Sequence, residues 1–261
     1  MDDLNLASVK TFLLDLDGTV YLGDQLYPWS LPFLERVTKS GRSFVFVTNN
    51  SSRSAKYYVE KLQRLGVPAQ RRNVFTSGDA TIHYLKEHEV GPRIALLGTP
   101  SLEEEFTENG FELDMDMPDA VVLGFDMTMT YGKMERACTL VRQGLPFYAT
   151  HPDFNCPTPA GPIPDIGAMI AFIEASTGRR PKVIGKPEPE MVEALGAQRG
   201  LTPTDLAMVG DRLYTDIAMG QSAGITSILV LSGETKREDL AASAFHPDYV
   251  VENLGEITPW L

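Results

Sequence analysis

The chain has 261 residues, 43% hydrophobic and 22% charged, a globular balance with room for one large domain or two modest ones. Its net charge of −12 offers no basic field for nucleic acid or an anionic membrane, so an anionic substrate must be met by local groups or a metal. The two cysteines, Cys138 and Cys156, make no disulfide framework and lack metal-ligand spacing. The opening MDDLNLASVK is acidic where a signal peptide is basic, and no apolar run approaches the roughly 20 residues that span a bilayer. A reduced cytoplasmic protein is the expectation.

In chain order, FLLD (12–15) reads as the first strand, followed by a helix over 30–40 and the strand FVFVT (44–48). A helix over 54–65, the strand VFTS (74–77), a helix over 79–89 and the strand IALLG (94–98) come next. Then follow a helix over 101–109, AVVLGF (120–125), a helix over 132–143 and FYAT (147–150). The last third reads as a helix over 166–177, VIG (183–185), a helix over 189–199, LAMVG (206–210), a helix over 214–223, SILVL (227–231) and YVV (249–251). Glycines at 41, 66, 110, 144, 178, 200 and 224 follow seven of these helices, where a helix C-terminus favours glycine. The near-continuous apolar strands predict parallel sheets covered on both faces, an α/β fold with right-handed crossovers. The proline-rich HPDFNCPTPAGPIPDIG (151–167) is neither regular helix nor central strand and reads as a structured loop.

Four strand ends carry chemistry. Asp15 and Asp17 follow the first strand at the i, i+2 spacing that shares a face, and Gly18 turns the chain away. Ligands of open parallel sheets bind at such carboxyl ends, where two carboxylates repel unless a cation lies between them. A solvated Asp-Gly turn is the structural alternative. After the second strand, Thr48-Asn49-Asn50-Ser51-Ser52 precedes a helix. This is an anion site, or simple N-capping by Ser52 or Ser54. Lys186 follows VIG at a helix entry with Pro187 and Pro189, either as a clamp for carboxylates and phosphoryl oxygens or as a surface lysine. Gly210-Asp211 ends LAMVG, and Asp216 follows five residues later as a site residue or a helix cap. Together these are the parts of magnesium-assisted phosphoryl transfer: a carboxylate nucleophile, a second carboxylate moving the proton, and a cationic clamp.

The segments DLDGT, VTNN, GKP and GDRLYTDI resemble the four motifs of the haloacid dehalogenase superfamily, in the order and character of its NagD-like, p-nitrophenylphosphatase branch. The stretch 149–187 resembles that branch too. The resemblance implies a Rossmann-like, doubly wound parallel-sheet core with an inserted, smaller α/β cap of type II. It implies Asp15 as nucleophile, Asp17 as general acid and base, and Lys186 beside them. Thr48 and Lys186 would bind the phosphoryl group, helped by backbone N–H groups near Asn49. Asp15, Asp211 and the Asp17 carbonyl would hold Mg²⁺, with Asp216 supporting that site from behind. One departure is visible: His151 stands where the branch usually has asparagine before Pro152-Asp153.

Thirty residues separate Asp17 from Thr48, room for one helix, whereas 137 separate Thr48 from Lys186. A core of 1–78 and 183–261 with a cap of 79–182 is therefore expected. Asp153 and Asp165 are the cap's candidate substrate contacts, Asp165 equally a cap for the helix from Ile166. The methionines and acids ahead of AVVLGF read as surface, and Asp126 and Thr128 as the start of the helix that follows. His83 and His88, five residues apart, read as surface rather than metal ligands. The implied reaction is hydrolysis of a small phosphomonoester. Phosphomutase or other phosphotransfer on the same core, or a catalytically silent binding module, are the alternatives. The substrate is a small molecule, with no nucleic acid or membrane partner, and a homodimer through the cap is implied by the resemblance alone.

Overall fold

A computed structural model of the protein describes residues 5–158 and 160–261. The first four residues of the acidic N-terminus and Pro159 of the proline-rich segment lie outside the described residues. The chain divides into two units. The first takes the chain up to Thr48, Tyr58–Phe75 and Lys186–Leu261; the second takes Asn49–Tyr57 and Thr76–Gly185.

The first unit begins with β1 (Thr11–Leu14), whose four side chains are all buried. A tight hairpin of β2 (Tyr21–Leu22) and β3 (Gln25–Leu26) follows, then α1 (Ser30–Lys39), β4 (Ser43–Thr48), α2 (Ala55–Arg64), which begins in the second unit, and β5 (Val74–Thr76). The chain leaves for the second unit through α3 (Ser77–Glu87), β6 (Arg93–Leu97), α4 (Pro100–Glu108), β7 (Glu112–Leu113) and β8 (Ala120–Leu123). It continues there with α5 (Tyr131–Arg142), β9 (Phe147–Ala149), the short strands β10 (Asn155–Cys156) and β11 (Ile163–Pro164), α6 (Ile166–Thr177) and β12 (Lys182–Val183). It returns through α7 (Glu190–Arg199), β13 (Leu206–Gly210), α8 (Ala218–Ala223), β14 (Thr226–Val230) and β15 (Tyr249–Val251).

The first unit's sheet runs β15-β14-β13-β1-β4-β5. β1 pairs in parallel with β13 on one side and β4 on the other, which is why TFLL and LAMVG are buried throughout. Phe12, 0% exposed, meets the α1 residue Phe33 edge to face at 5.7 Å, and burying a side chain of that size contributes about 1.5–3 kcal/mol. The second unit's sheet, β12-β9-β8-β6-β7, is parallel throughout. One of its faces packs with α5 and α6 through Leu123, Phe125, Met134 and Ile170; the other packs through Leu85, Leu96, Leu102 and Phe106. The fold is α/β, a parallel-sheet unit with a second α/β unit inserted in its sequence.

The predicted strands and helices fall within a residue or two of these elements, except that the helix expected over 214–223 opens as a π-turn over Leu213–Ile217 ahead of α8; the seven helix-ending glycines all have positive φ. Neither Cys138 nor Cys156 is in a disulfide among the described residues. No described helix is long and apolar enough to cross a membrane. Two expectations need correction. The helix after β8 is capped by Thr130, whose side chain accepts from Lys133 N, not by Asp126 or Thr128. Asp126 is 1% exposed and instead accepts from Thr128 and from Lys133 Nζ at 2.7 Å, because a carboxylate that deep needs a cation more than the helix needs a second cap. The methionines are also not uniformly surface: Met115 packs against the second unit's core, while Met117 is exposed.

Candidate active site

Asp15 directly follows β1, and its N–H donates to the Val209 carbonyl of β13, continuing the ladder one residue beyond the strand. Leu14 lies opposite Val209, which sets Asp15 opposite Gly210 and brings Asp211, one residue further, to the same sheet edge. Thr48 ends β4 on the other side of β1, buried at the same edge. Lys186, 3% exposed, opens the returning segment of this unit. Its ammonium donates to Asp15 Oδ1 and, at 2.7 Å, to Asp216 Oδ1.

Asp216 sits on a single turn of π-helix over Leu213–Ile217, where the Ile217 N–H reaches back five residues to the Arg212 carbonyl. Such bulges gather at functional sites, and this one turns the Asp216 carboxylate inward to accept from Arg212 N–H at 3.1 Å. Gly210 makes room for it: a Cβ there would lie 2.3 Å from Asp216 Cγ. Gly18 does the same for Asp211. Its φ is +87°, and a Cβ would come 2.4 Å from Asp211 Oδ2. The Asp211 carboxylate takes the Glu234 N–H on Oδ2 at 2.6 Å, while the buried Oδ1 has no hydrogen-bond partner among the described residues.

These groups perturb one another. Burial pushes the Asp211 carboxyl up to about 8, with the charges of Asp15 and Asp216 adding to the rise. Burial likewise raises Asp216, to about 6, against the pull of Lys186. Burial alone would lower the Lys186 ammonium; Asp15 and Asp216 overcome that and raise it. Asp17 reaches solvent but is crowded by protein. Its carboxyl is raised, chiefly by desolvation, and the Asp15 charge adds to the rise while Lys61 and Arg212 oppose it. Asp15, Asp211 and Asp216 each offer an oxygen within 4.8 Å of the others. Three buried or half-buried carboxylates, one with an unpartnered oxygen, form a donor set that a hard divalent cation fits.

The structure therefore brings Asp15, Lys186, Asp211 and Asp216 into one cluster, with Asp17 beside Asp15 and Thr48 at the neighbouring strand end. Asn49, Asp153 and Asp165 belong to the second unit. There Asn49 Nδ2 donates to Asp153 Oδ2 at 2.8 Å, and Asp165 caps α6, accepting from Ile166 N–H at 2.6 Å. His83 is near Glu87, and His88 stacks on Tyr84, both on α3 or its end. Sequence reasoning passed over Arg212. Burial would lower its guanidinium, and Asp15 raises it most, with Tyr214, Glu234 and Asp211 adding; it pairs with Glu234 at 2.9 Å. Its position directly after Asp211 was the available signal.

Family models match two segments: haloacid dehalogenase-like hydrolase over residues 12–112, and HAD-hydrolase-like over 183–257. The 4-nitrophenylphosphatase structure from Thermotoga maritima superposes with a TM-score of 0.94 at 49% identity, covering 97% of this chain and 98% of that one. The 5′-nucleotidase YutF of Bacillus subtilis is 33% identical, covering 98% of this chain and 100% of the relative. The acid sugar phosphatase of Staphylococcus aureus is 36% identical over 96% of this chain and 97% of its own length. The chain belongs to the haloacid dehalogenase-like hydrolases, in the branch that holds NagD and the p-nitrophenylphosphatases.

Proposed function

We propose that this chain is a Mg²⁺-dependent phosphatase that hydrolyses small phosphomonoesters through an aspartyl-phosphate on Asp15. The observation that carries the reading is the Asp15–Lys186–Asp216 chain of hydrogen bonds beside Asp211, at the carboxyl ends of β1 and β13. Asp15 attacks phosphorus in line, and the phosphorus–oxygen bond to the leaving group breaks. Asp17 gives its proton to the leaving oxygen, a task suited to a carboxyl held above its ordinary range. Asp17 then takes a proton from the water that attacks the aspartyl-phosphate, which releases phosphate and restores Asp15. Lys186, with Thr48 and the backbone N–H groups near Asn49, binds the phosphoryl oxygens and offsets their charge. Asp15 and Asp211, with the Asp17 carbonyl, would hold Mg²⁺ with Asp216 behind them, and the bound ion supplies further neutralisation of charge around the phosphoryl group.

In this reading 1–78 and 183–261 form the catalytic core and 79–182 the cap, with 49–57 grouped in the cap's unit. The names of its relatives point to sugar phosphates, nucleotides and p-nitrophenyl phosphate as the substrate class. A cytoplasmic homodimer formed through the second unit completes the reading. Two cysteines with no disulfide between them and the exposed Met127, Met129 and Phe172 of that unit support it. The test is phosphate release over a panel of these esters with Mg²⁺, compared by kcat/KM. Release to water from one or more of them is expected. Transfer to a second ester without free phosphate would make the enzyme a phosphotransferase, and no reaction with any ester would end the phosphatase reading.

A further inference from the structure

His151 is 1% exposed, and both ring nitrogens are engaged. Nδ1 lies 3.1 Å from Thr150 Oγ1. Nε2 lies 3.1 Å from Asp165 Oδ1 and 3.8 Å from Asp153 Oδ2. Each neighbour is itself held. Asp165 caps α6, Asp153 accepts from Asn49 Nδ2, and Thr150 Oγ1 is 2.8 Å from Ser51 Oγ, which accepts from Phe125 N–H. A proton count closes in one direction. Phe125 N–H donates to Ser51, the Ser51 hydroxyl to Thr150, the Thr150 hydroxyl to His151 Nδ1, and His151 Nε2–H to Asp165. Every hydrogen in that chain has an acceptor, and all of these residues lie in the second unit.

A helix cap alone does not need an imidazole. Asp165 would cap α6 without one, and burying the ring costs desolvation that must be offset by what it orients. What lies beyond it is Asn49, whose side chain is fixed by Asp153 and whose carbonyl accepts from the Ser77 hydroxyl. The N–H of Asn49 belongs to the peptide it shares with Thr48. A Cβ at Gly185 would lie 2.4 Å from the Thr150 carbonyl and 2.8 Å from Asn49 Oδ1, so the absence of a side chain there is what lets Asn49 pack this closely.

We propose that His151 is a positioning residue for the phosphoryl-binding peptide Thr48–Asn49: its Nε2–H holds Asp165 at the start of α6, where the Gly167 N–H donates to the Asp153 carbonyl at 2.8 Å, and the Asp153 carboxylate in turn holds Asn49 Nδ2. This rests on the phosphatase reading above. Asparagine, the residue the branch usually carries, places its polar atoms no further than the Nδ1 position, so the Nε2 connection is particular to the histidine of this chain. Glutamine reaches the Nε2 position and can donate there.

The test compares wild type, His151→Gln and His151→Ala by kcat and KM for p-nitrophenyl phosphate and for a sugar phosphate, and by Ki for inorganic phosphate. His151→Ala is expected to raise both KM values and the phosphate Ki by one common factor of about tenfold, the loss of roughly one charge-assisted hydrogen bond, because the three ligands share only the phosphoryl group. His151→Gln should return all three to within about threefold of wild type. A merely structural role would lower the melting temperature and leave Ki unmoved, and that result overturns the proposal. So does a KM effect that differs between the esters while Ki is unchanged, which would assign the cluster to the leaving group. Should His151→Ala fail to fold, Asp153→Asn, which keeps an acceptor for Asn49, and Asp153→Ala, which does not, make the same comparison. A wild-type protein that neither releases nor binds phosphate overturns the phosphatase reading and this one together; an active wild type with an unaffected His151→Ala overturns this one alone.

Discussion

Asp211 is 2% exposed, its Oδ1 has no partner among the described residues, and its carboxyl is held up to about 8 against an ordinary 3.8. Without a cation the native protein must keep a proton there that the unfolded chain has already released. The native state then binds more protons than the unfolded one, so stability falls as pH rises between those two values. Near neutral pH the gap from 3.8 is a little over three pH units, which at ~1.4 kcal/mol per unit sets a ceiling of ~4 kcal/mol on the cost. Asp15 and Asp216 share in the same repulsion, so the part recovered by removing one charge is about 1–3 kcal/mol. Asp211→Asn removes it while its amide oxygen can still accept from Glu234 N–H. In chelator, the variant should therefore be more stable than wild type at pH 7 to 8, by several degrees in melting temperature, and the two should converge toward pH 5. Adding Mg²⁺ should raise the wild type by about 2.7 kcal/mol at a hundredfold excess over Kd and leave the variant nearly unmoved, removing most or all of the variant's advantage. Thermal or urea unfolding at three pH values, with chelator and with Mg²⁺, reads all of this. An Asp211→Asn protein less stable than wild type in chelator at pH 7 would refute the reasoning.

Three other outcomes follow from the same cluster. Lys186→Met leaves Asp15 and Asp216 facing each other without their shared cation, and should cost about 3–5 kcal/mol in urea unfolding of the metal-free protein as well as abolishing turnover; unchanged stability would contradict the ion chain. Gly18→Ala combines a φ of +87° with a Cβ 2.4 Å from Asp211 Oδ2, so it should lose about 1–3 kcal/mol and weaken the Mg²⁺-induced rise in melting temperature. Asp17→Asn should lower kcat on a sugar phosphate by about 10²–10⁴, whereas with p-nitrophenyl phosphate, whose leaving group departs without a proton, it should give a burst of nitrophenol followed by slow turnover.

Where the sequence was legible, the reason is local. A short unbroken apolar run such as LAMVG, set between helical segments, reads as a strand covered on both faces, and the residue that follows it, Asp211, is thereby placed at the sheet's carboxyl edge. The four motif ends could be joined into one site because parallel strands deliver all their carboxyl ends to one side. What stayed hidden depends on partners far away in the chain. The β2–β3 hairpin buries too little to leave a pattern, and a π-turn is a shift in backbone register with no residue signature. The segment 49–57 was expected with the core, yet the structure groups it with the second unit. Thr99 donates to the Ser52 carbonyl, Ser101 accepts from Ser54 N–H and Glu105 accepts from Ala55 N–H. Asp126 misled for a local reason: the side chain of Lys133, seven residues on in the first turn of α5, claims its carboxylate, while Thr130 caps the helix.

The central claim is that Asp15 carries the phosphoryl group. Asp17→Asn enzyme, mixed with p-nitrophenyl phosphate and Mg²⁺ and quenched in acid during the burst, can be digested and its peptides weighed. The peptide holding Asp15 should gain the mass of one phosphoryl group, the gain should be absent from the Asp15→Asn, Asp17→Asn double variant, and Asp15→Asn alone should fold but not turn over. An unmodified Asp15 peptide during a clear burst, or sustained phosphatase activity in Asp15→Asn, would contradict the account.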